Sequence, residues 1–176
     1  MTFITYHQKQ KISPEYISGF TDGEGCFTFS LSHKKNMPFG ICVTPSFSIS
    51  QNKQSVDVLH EIQKYFHCGF LRGDRGTMKY EVRQLHYLQE RIRPHFEMYP
   101  LRTQKQEDFL VFFEVCDLLS EKKQKTSFGL REILEKIFTM NNSGKNCPIK
   151  KHIWLAKCEE ISSIFNREEP FPQERR

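Results

Sequence analysis

Two stretches of alternating apolar and polar residues dominate the first third of the chain. Phe27, Phe29 and Leu31 alternate with Thr28, Ser30, Ser32 and Lys34; Val43, Pro45, Phe47 and Ile49 alternate with Thr44, Ser46, Ser48 and Ser50. A period of two puts each set on one side of a pleated strand, which predicts two half-buried antiparallel strands with a hydroxyl-rich outer face. The polar connection from His33 to Ile41, containing Asn36, Pro38 and Gly40, predicts an open loop. Pro45 has no N–H for the ladder and predicts an edge or a bulge at that point.

Helical spacing brackets these strands. Ser13-Pro14-Glu15 reads as cap, first helical residue and early acid of a short helix whose body, Tyr16 to Asp22, leaves through the permissive backbone of Gly23 and Gly25. Ser55 predicts the cap of an amphipathic helix carrying Val58, Leu59, Ile62 and Phe66. Gly69 to Arg72 and Lys79 to Gln84 predict a second hairpin around Gly73 to Gly76. Helical segments follow at Leu85 to Arg93, stopped by Pro94, then Gln104 to Leu119, Phe128 to Met140 and Ile149 to Phe165. Asn141 to Gly144 forms a turn between the last two. The expectation is one α+β domain over residues 12–166, an αββαββα core with additional C-terminal helices packed on it. A flexible arm, 1–11, precedes it, and a tail, 167–176, reads as disordered.

Composition agrees with one core: 176 residues with 16 Phe and 38% hydrophobic content. The net charge of +5 fits a polyanionic partner, and its placement sharpens that reading. Eight Lys/Arg stand against four acids between Thr28 and Gln84, the same residues that build the predicted strands. Six cysteines without a CxxC pair read as reduced thiols. Cys147, His152 and Cys158 offer three of the four ligands that structural zinc needs, on a helical stretch where ordinary packing is the better reading. No apolar run is long enough to span a membrane and the N-terminus lacks a signal-peptide core, so a soluble, non-secreted protein is expected.

The candidate chemistry lies at the exit of the first helix. Asp22 and Glu24 sit where the helix dipole is negative, and a divalent cation would offset that charge. Mg²⁺ takes one or two carboxylates, with carbonyls, waters and phosphate oxygens completing its shell. Ser18 and Gly19 are small enough to let a second helix approach closely. Asp-Gly-Glu-Gly alone is better read as an acidic surface turn; the longer match reverses that. Residues Ile17 to Gly25 read aliphatic, small, Gly, aromatic, any, Asp, Gly, acid, Gly, which resembles the LAGLIDADG motif. The helix–strand order, Gln51, the stretch GFLRGDRG at 69–76 and YPLRTQKQEDF at 99–109 extend the resemblance over roughly residues 12–120. The chain is similar to single-motif members of the LAGLIDADG homing endonuclease family.

That resemblance implies the family fold and a Mg²⁺-dependent phosphodiester hydrolysis. It implies a homodimer whose motif helices pair across a two-fold axis through Ser18, Gly19 and Asp22. Glu24 and the Gly23 carbonyl would hold the metal, Glu being a longer arm than the Asp of many members. Gln51 would orient water, and Lys105 would be the basic residue, with Arg102 and Lys53 left open by the alignment. The substrate implied is a long, near-palindromic double-stranded DNA site, cut to leave short 3′ overhangs. The implied source is an intron of a chloroplast or mitochondrial genome. A maturase acting on its host intron RNA and a non-cleaving DNA-binding protein are the competing readings.

The polar sheet face would meet the DNA. Thr28, Ser30, Ser32, Lys34, Thr44, Ser46 and Ser48 lie on it, Lys35 follows in the loop, and the second hairpin adds Arg72, Arg75, Lys79, Glu81 and Arg83. Such a ribbon fits a major groove. Lys34 and Lys35 would reach the outer part of each half-site, and Arg72 and Arg75 would lie nearer the centre.

Overall fold

Ser13 opens the first helix as predicted: its hydroxyl accepts the Tyr16 amide at 3.2 Å, and Pro14 is the first residue of α1, Pro14–Glu24. The structure, a computed structural model, describes residues 11–140. The expected arm and tail, the Asn141 to Gly144 turn, the helix from Ile149 to Phe165 and the Cys147/His152/Cys158 group lie outside the described residues, apart from Lys11. After α1 come β1 (Gly25–His33), β2 (Ile41–Asn52), α2 (Asp57–Phe66), β3 (Phe70–Asp74) and β4 (Thr77–Val82). The strands form one antiparallel sheet in the order β1-β2-β4-β3. Helical segments α3 (Leu85–Tyr87), α4 (Arg93–Met98), α5 (Lys105–Ser120) and α6 (Ser127–Ile137) complete the described fold.

The alternation was a faithful guide to the layers. Phe27, Phe29, Phe47 and Ile49 point into the core, where Phe27 stacks on Phe47 at 4.9 Å between ring centroids and meets Phe112 of α5 at 5.3 Å. Phe66 of α2, Phe96 of α4 and Phe109 of α5 join the same cluster. A smaller cluster, Ile41 with Leu130 and Leu134, seats α6 beneath the far end of the first hairpin. The expected packing of that helix on the body therefore holds, although Phe128 is 80% exposed.

Three local expectations need correction, and a fourth, at Pro45, resolves to one of its two alternatives. Gly23 and Gly25 do not leave the helix through a left-handed backbone; Gly25 is extended at φ −80°, and it is glycine because space is lacking. A Cβ there would stand 2.4 Å from Thr21 Cγ2 and 2.7 Å from the Thr21 carbonyl oxygen. We expect Gly25→Ala to lower stability by about 1–3 kcal/mol, as overpacking does, readable as a fall in the thermal midpoint. Ser55 does not cap α2, since it lies in the preceding short 3₁₀ turn and Val56 takes the cap position without a side-chain bond. Pro94 does not end a helix, because a π-helical stretch, Leu88–Ile92, precedes it and α4 runs on through it. Pro45 causes no bulge: β1 and β2 stay in register past it. It sits where β4 does not yet reach β2, so that side of the strand is a local edge.

Beneath α1, His95 is buried, with Tyr65 Oη 3.0 Å from Nδ1 and Ser18 Oγ 3.3 Å from Nε2. Burial pushes its pKa down to about 4, against a weaker opposing pull from Glu15. A base whose folded pKa is depressed binds fewer protons folded than unfolded, so it stabilises the fold above about pH 6.5 and that contribution is lost as pH falls toward 4. The thermal midpoint should drop across this window, and drop less in His95→Gln.

Candidate functional site

Helix α1 delivers its last turn to one end of the sheet. Gly25 opens β1 opposite Ile49, and β2 continues two residues further to Gln51, which pairs with Met78. The β3–β4 turn at Arg75 and Gly76 lies at this same end, both residues at positive φ as a two-residue hairpin turn requires. The loop carrying Lys34 and Lys35 lies at the opposite end. Glu24, Gln51 and Arg75 therefore mark one end of a polar ribbon and the two lysines mark the other.

At the motif end, long-range contacts fix the geometry. Asp22 accepts the backbone amides of Arg102 and Thr103 at 2.8 and 3.3 Å, and the Thr103 hydroxyl at 2.8 Å. The start of α5 is thus tied to the motif across some eighty residues of sequence. Lys105, in the first turn of α5, donates from Nζ to the Thr21 carbonyl at 3.1 Å and the Gly25 carbonyl at 2.5 Å. Its ammonium rests against the negative end of α1, where a cation is favoured. Of the three basic residues left open, Lys105 is the one whose charged group contacts the motif; Arg102 contributes its backbone amide, and Lys53 is exposed in the turn after β2. Glu24 is exposed, so its carboxylate faces outward while that of Asp22 is engaged within the chain. Gln51 Oε1 accepts the Asn52 amide at 2.7 Å.

The small residues of α1 divide. Ser18 is buried, donating to the Tyr99 carbonyl at 2.7 Å beside His95, so it faces this chain's own core. Gly19 is exposed with nothing within 4 Å of a Cβ placed on it, and Gly23 is the same one turn on. Neighbouring helix positions point about 100° apart, which separates Ser18 from Gly19. The outward face is therefore Tyr16, Gly19 and Gly23, and Ser18 and Asp22 support it from within.

The polar sheet face also divides. Ser30, Ser32, Lys34, Lys35, Arg75 and Arg83 are exposed, and Thr28, Thr44, Arg72 and Lys79 half-buried. Ser46, Ser48 and Glu81 are buried. The Glu81 carboxylate accepts from Ser46 Oγ at 2.8 Å, Arg72 Nε at 3.0 Å and Arg83 Nη2 at 3.1 Å. Burial alone would raise its pKa, but these hydrogen bonds outweigh it and hold the carboxyl below the usual range. Sequence reading also missed a basic group outside the sheet. Exposed Lys122, Lys123 and Lys125 join α5 to α6, and the turn they form packs against the Pro38–Gly40 turn of the first hairpin. Three lysines in four residues were the available signal.

Among the described residues no three His, Cys, Asp or Glu side chains converge as a metal cluster, and no helix is long and apolar enough to cross a membrane.

Known proteins share both this sequence pattern and this arrangement. A probable intron-encoded endonuclease 2 of Neurospora crassa is 35% identical over 133 residues, covering 74% of this chain and 29% of its own length, so the chain spans under a third of that relative. The crystal structure of a homing endonuclease, I-TnaI, superposes with a TM-score of 0.75 at 32% identity, covering 86% of this chain and 99% of that one. I-SmaMI, a LAGLIDADG homing endonuclease bound to cleaved DNA, superposes with a TM-score of 0.72 at 26% identity, covering 94% of this chain and 51% of that one. The sequence profile of the LAGLIDADG endonuclease family matches residues 17–116, from the motif helix through most of α5, and with the fold in agreement the chain belongs to that family.

Proposed function

We propose that this protein is a homing endonuclease that, as a homodimer, hydrolyses both strands of a long, pseudo-palindromic DNA site with Mg²⁺, leaving short 3′ overhangs. One observation carries the reading: an exposed acid, Glu24, adjoins Gly25, whose carbonyl accepts from the Lys105 ammonium, at the head of a polar and basic ribbon. β1 runs from Gly25 to His33, about 27 Å at the rise of a strand. That length matches about eight base pairs, one half of a long site.

The residues present fit Mg²⁺. One chain offers a single outward carboxylate, Glu24, with the Gly23 carbonyl next to it, and Mg²⁺ is held by such sparse protein ligands when phosphate oxygens complete its shell. A bound ion would supply charge stabilisation for an in-line displacement. Lys105 holds positive charge beside the phosphate undergoing attack, and Gln51 orients the attacking water. Asp22 keeps Lys105 in place by tying α5 to the motif. Two scissile phosphates need two such acids, and the outward face of Tyr16, Gly19 and Gly23 is the surface for a second copy, its glycines permitting close helix approach. The single motif within these residues and the match to I-TnaI, which covers 99% of that chain, support this assembly. The relative named as intron-encoded supports an intron as the source of the gene, and an organelle genome is the setting proposed for it.

Binding tests the two ends of the ribbon separately. Arg72→Ala should weaken binding by about 1–3 kcal/mol and relax base preference near the centre of the site, as loss of a base contact does. Lys35→Ala should weaken all sequences alike and reduce the slope of log K against log salt by about one. A base-preference profile left intact by Arg72→Ala would refute the docking, and the mass of the DNA complex, two chains per duplex, checks the dimer.

A further inference from the structure

Glu81 is an unusual residue for a surface that meets DNA. Its side chain is 4% exposed, whereas Arg72 and Arg83, which both contact it, are 40% and 49% exposed. A buried, ionised carboxylate is costly unless its oxygens are hydrogen-bonded, and here both are: Oε1 takes Ser46 and Arg83, and Oε2 takes Arg72. An acid aimed at the DNA would repel phosphate and offer those oxygens to cytosine amino groups. This one lies covered by Arg72 and Arg83, and both of its oxygens are engaged within the chain.

The atoms used by Arg72 matter more. It engages Glu81 through Nε, and its two terminal nitrogens have no protein partner among the described residues. The guanidinium is planar and rigid, so fixing Nε fixes the direction of the Nη1–Nη2 edge, the fork that pairs with guanine O6 and N7. Arg72 stands opposite Lys79, two residues before the end of β3 at the motif end of the ribbon.

We infer that Glu81 is a positioning residue which, braced by Ser46, holds Arg72 so that its free edge reads a guanine in the inner part of each half-site. This deepens the proposed DNA recognition and rests on it. The gain is entropic: a long arginine ordered before binding loses less freedom on contact, and a fork held in one plane rejects bases that lack paired acceptors.

The test is a binding selection on randomised duplexes with the full chain and no divalent ion, so that cutting is not required, together with melting curves. Wild type should select guanine at one inner position of each half-site. Glu81→Gln and Arg72→Ala should both lose that preference, by roughly 5- to 150-fold, the range of one bidentate pair. Preferences elsewhere should stay within about threefold, and the double variant should lose no more than Arg72→Ala alone. If Glu81→Gln does not fold, Glu81→Asp takes its place; the shorter arm draws Arg72 back, and a smaller loss at the same position is expected. Guanine preference kept without Glu81 but lost without Arg72, or a uniform loss at every position in a variant with a lowered melting point, overturns the positioning role while DNA recognition stands. A wild type that selects no sequence overturns the recognition reading, and this inference with it.

Discussion

Glu24→Gln should bind its DNA site within a fewfold of wild type and cut it at least about 100-fold more slowly. The substitution keeps the shape of the side chain and removes its charge. Glu24 is exposed, so nothing in the core depends on it, and the melting temperature should stay close to that of wild type. The floor on the effect comes from metal sites in general: removing an outer-shell partner of a ligand already costs 10- to 100-fold, and removing the ligand costs more. Asp22→Asn is the informative contrast. Its carboxylate holds the Arg102 and Thr103 amides and the Thr103 hydroxyl, so that variant should lose stability as well as activity. Single-turnover cleavage alongside a binding isotherm separates the two. Cleavage retained in Glu24→Gln would remove the acid from the reaction.

Lys105→Met should lose both cutting and stability, in separable amounts. The ammonium is bonded to the carbonyls of Thr21 and Gly25 at the negative end of α1, an arrangement worth up to about 2 kcal/mol when partly buried. In the proposed reaction it also holds charge beside the phosphate, and the loss of one such group typically slows reaction by about 100- to 1,000-fold. Lys105→Arg should fold better than Lys105→Met yet cut poorly, because a planar fork cannot occupy the point between two carbonyls that an ammonium fills. Cutting rates measured well below the melting temperature of each variant distinguish lost chemistry from lost fold.

Much of this was legible in the chain. Alternation over Phe27 to Ser50 marks the two strands and their inward face, and Ser13-Pro14 marks the start of α1, because these signals are local and periodic. What escaped is set by contacts between distant segments. The bonds from Asp22 to Arg102 and Thr103 and from Lys105 to Thr21 and Gly25 join positions some eighty residues apart, and no spacing rule sees them. Ser46, Ser48 and Glu81 have the right parity for the outer face yet are buried; for Glu81, Arg83 just past the end of its strand and Arg72 diagonal on the next fold back onto the carboxylate. Ser18 and Gly19 look alike as small residues, but a 100° step sends one inward to His95 and the other outward. At Pro94 a π-helical stretch absorbs the missing N–H, which propensity alone reads as a stop.

The most direct measurement is a cleavage selection: the protein is incubated with a randomised DNA library in Mg²⁺ and in EDTA, and the cut ends are sequenced. Cleavage only with Mg²⁺, on both strands of one near-palindromic site with short 3′ overhangs, is the expected result. A folded protein that binds such a site, or its intron RNA, and cuts nothing in Mg²⁺ would contradict it.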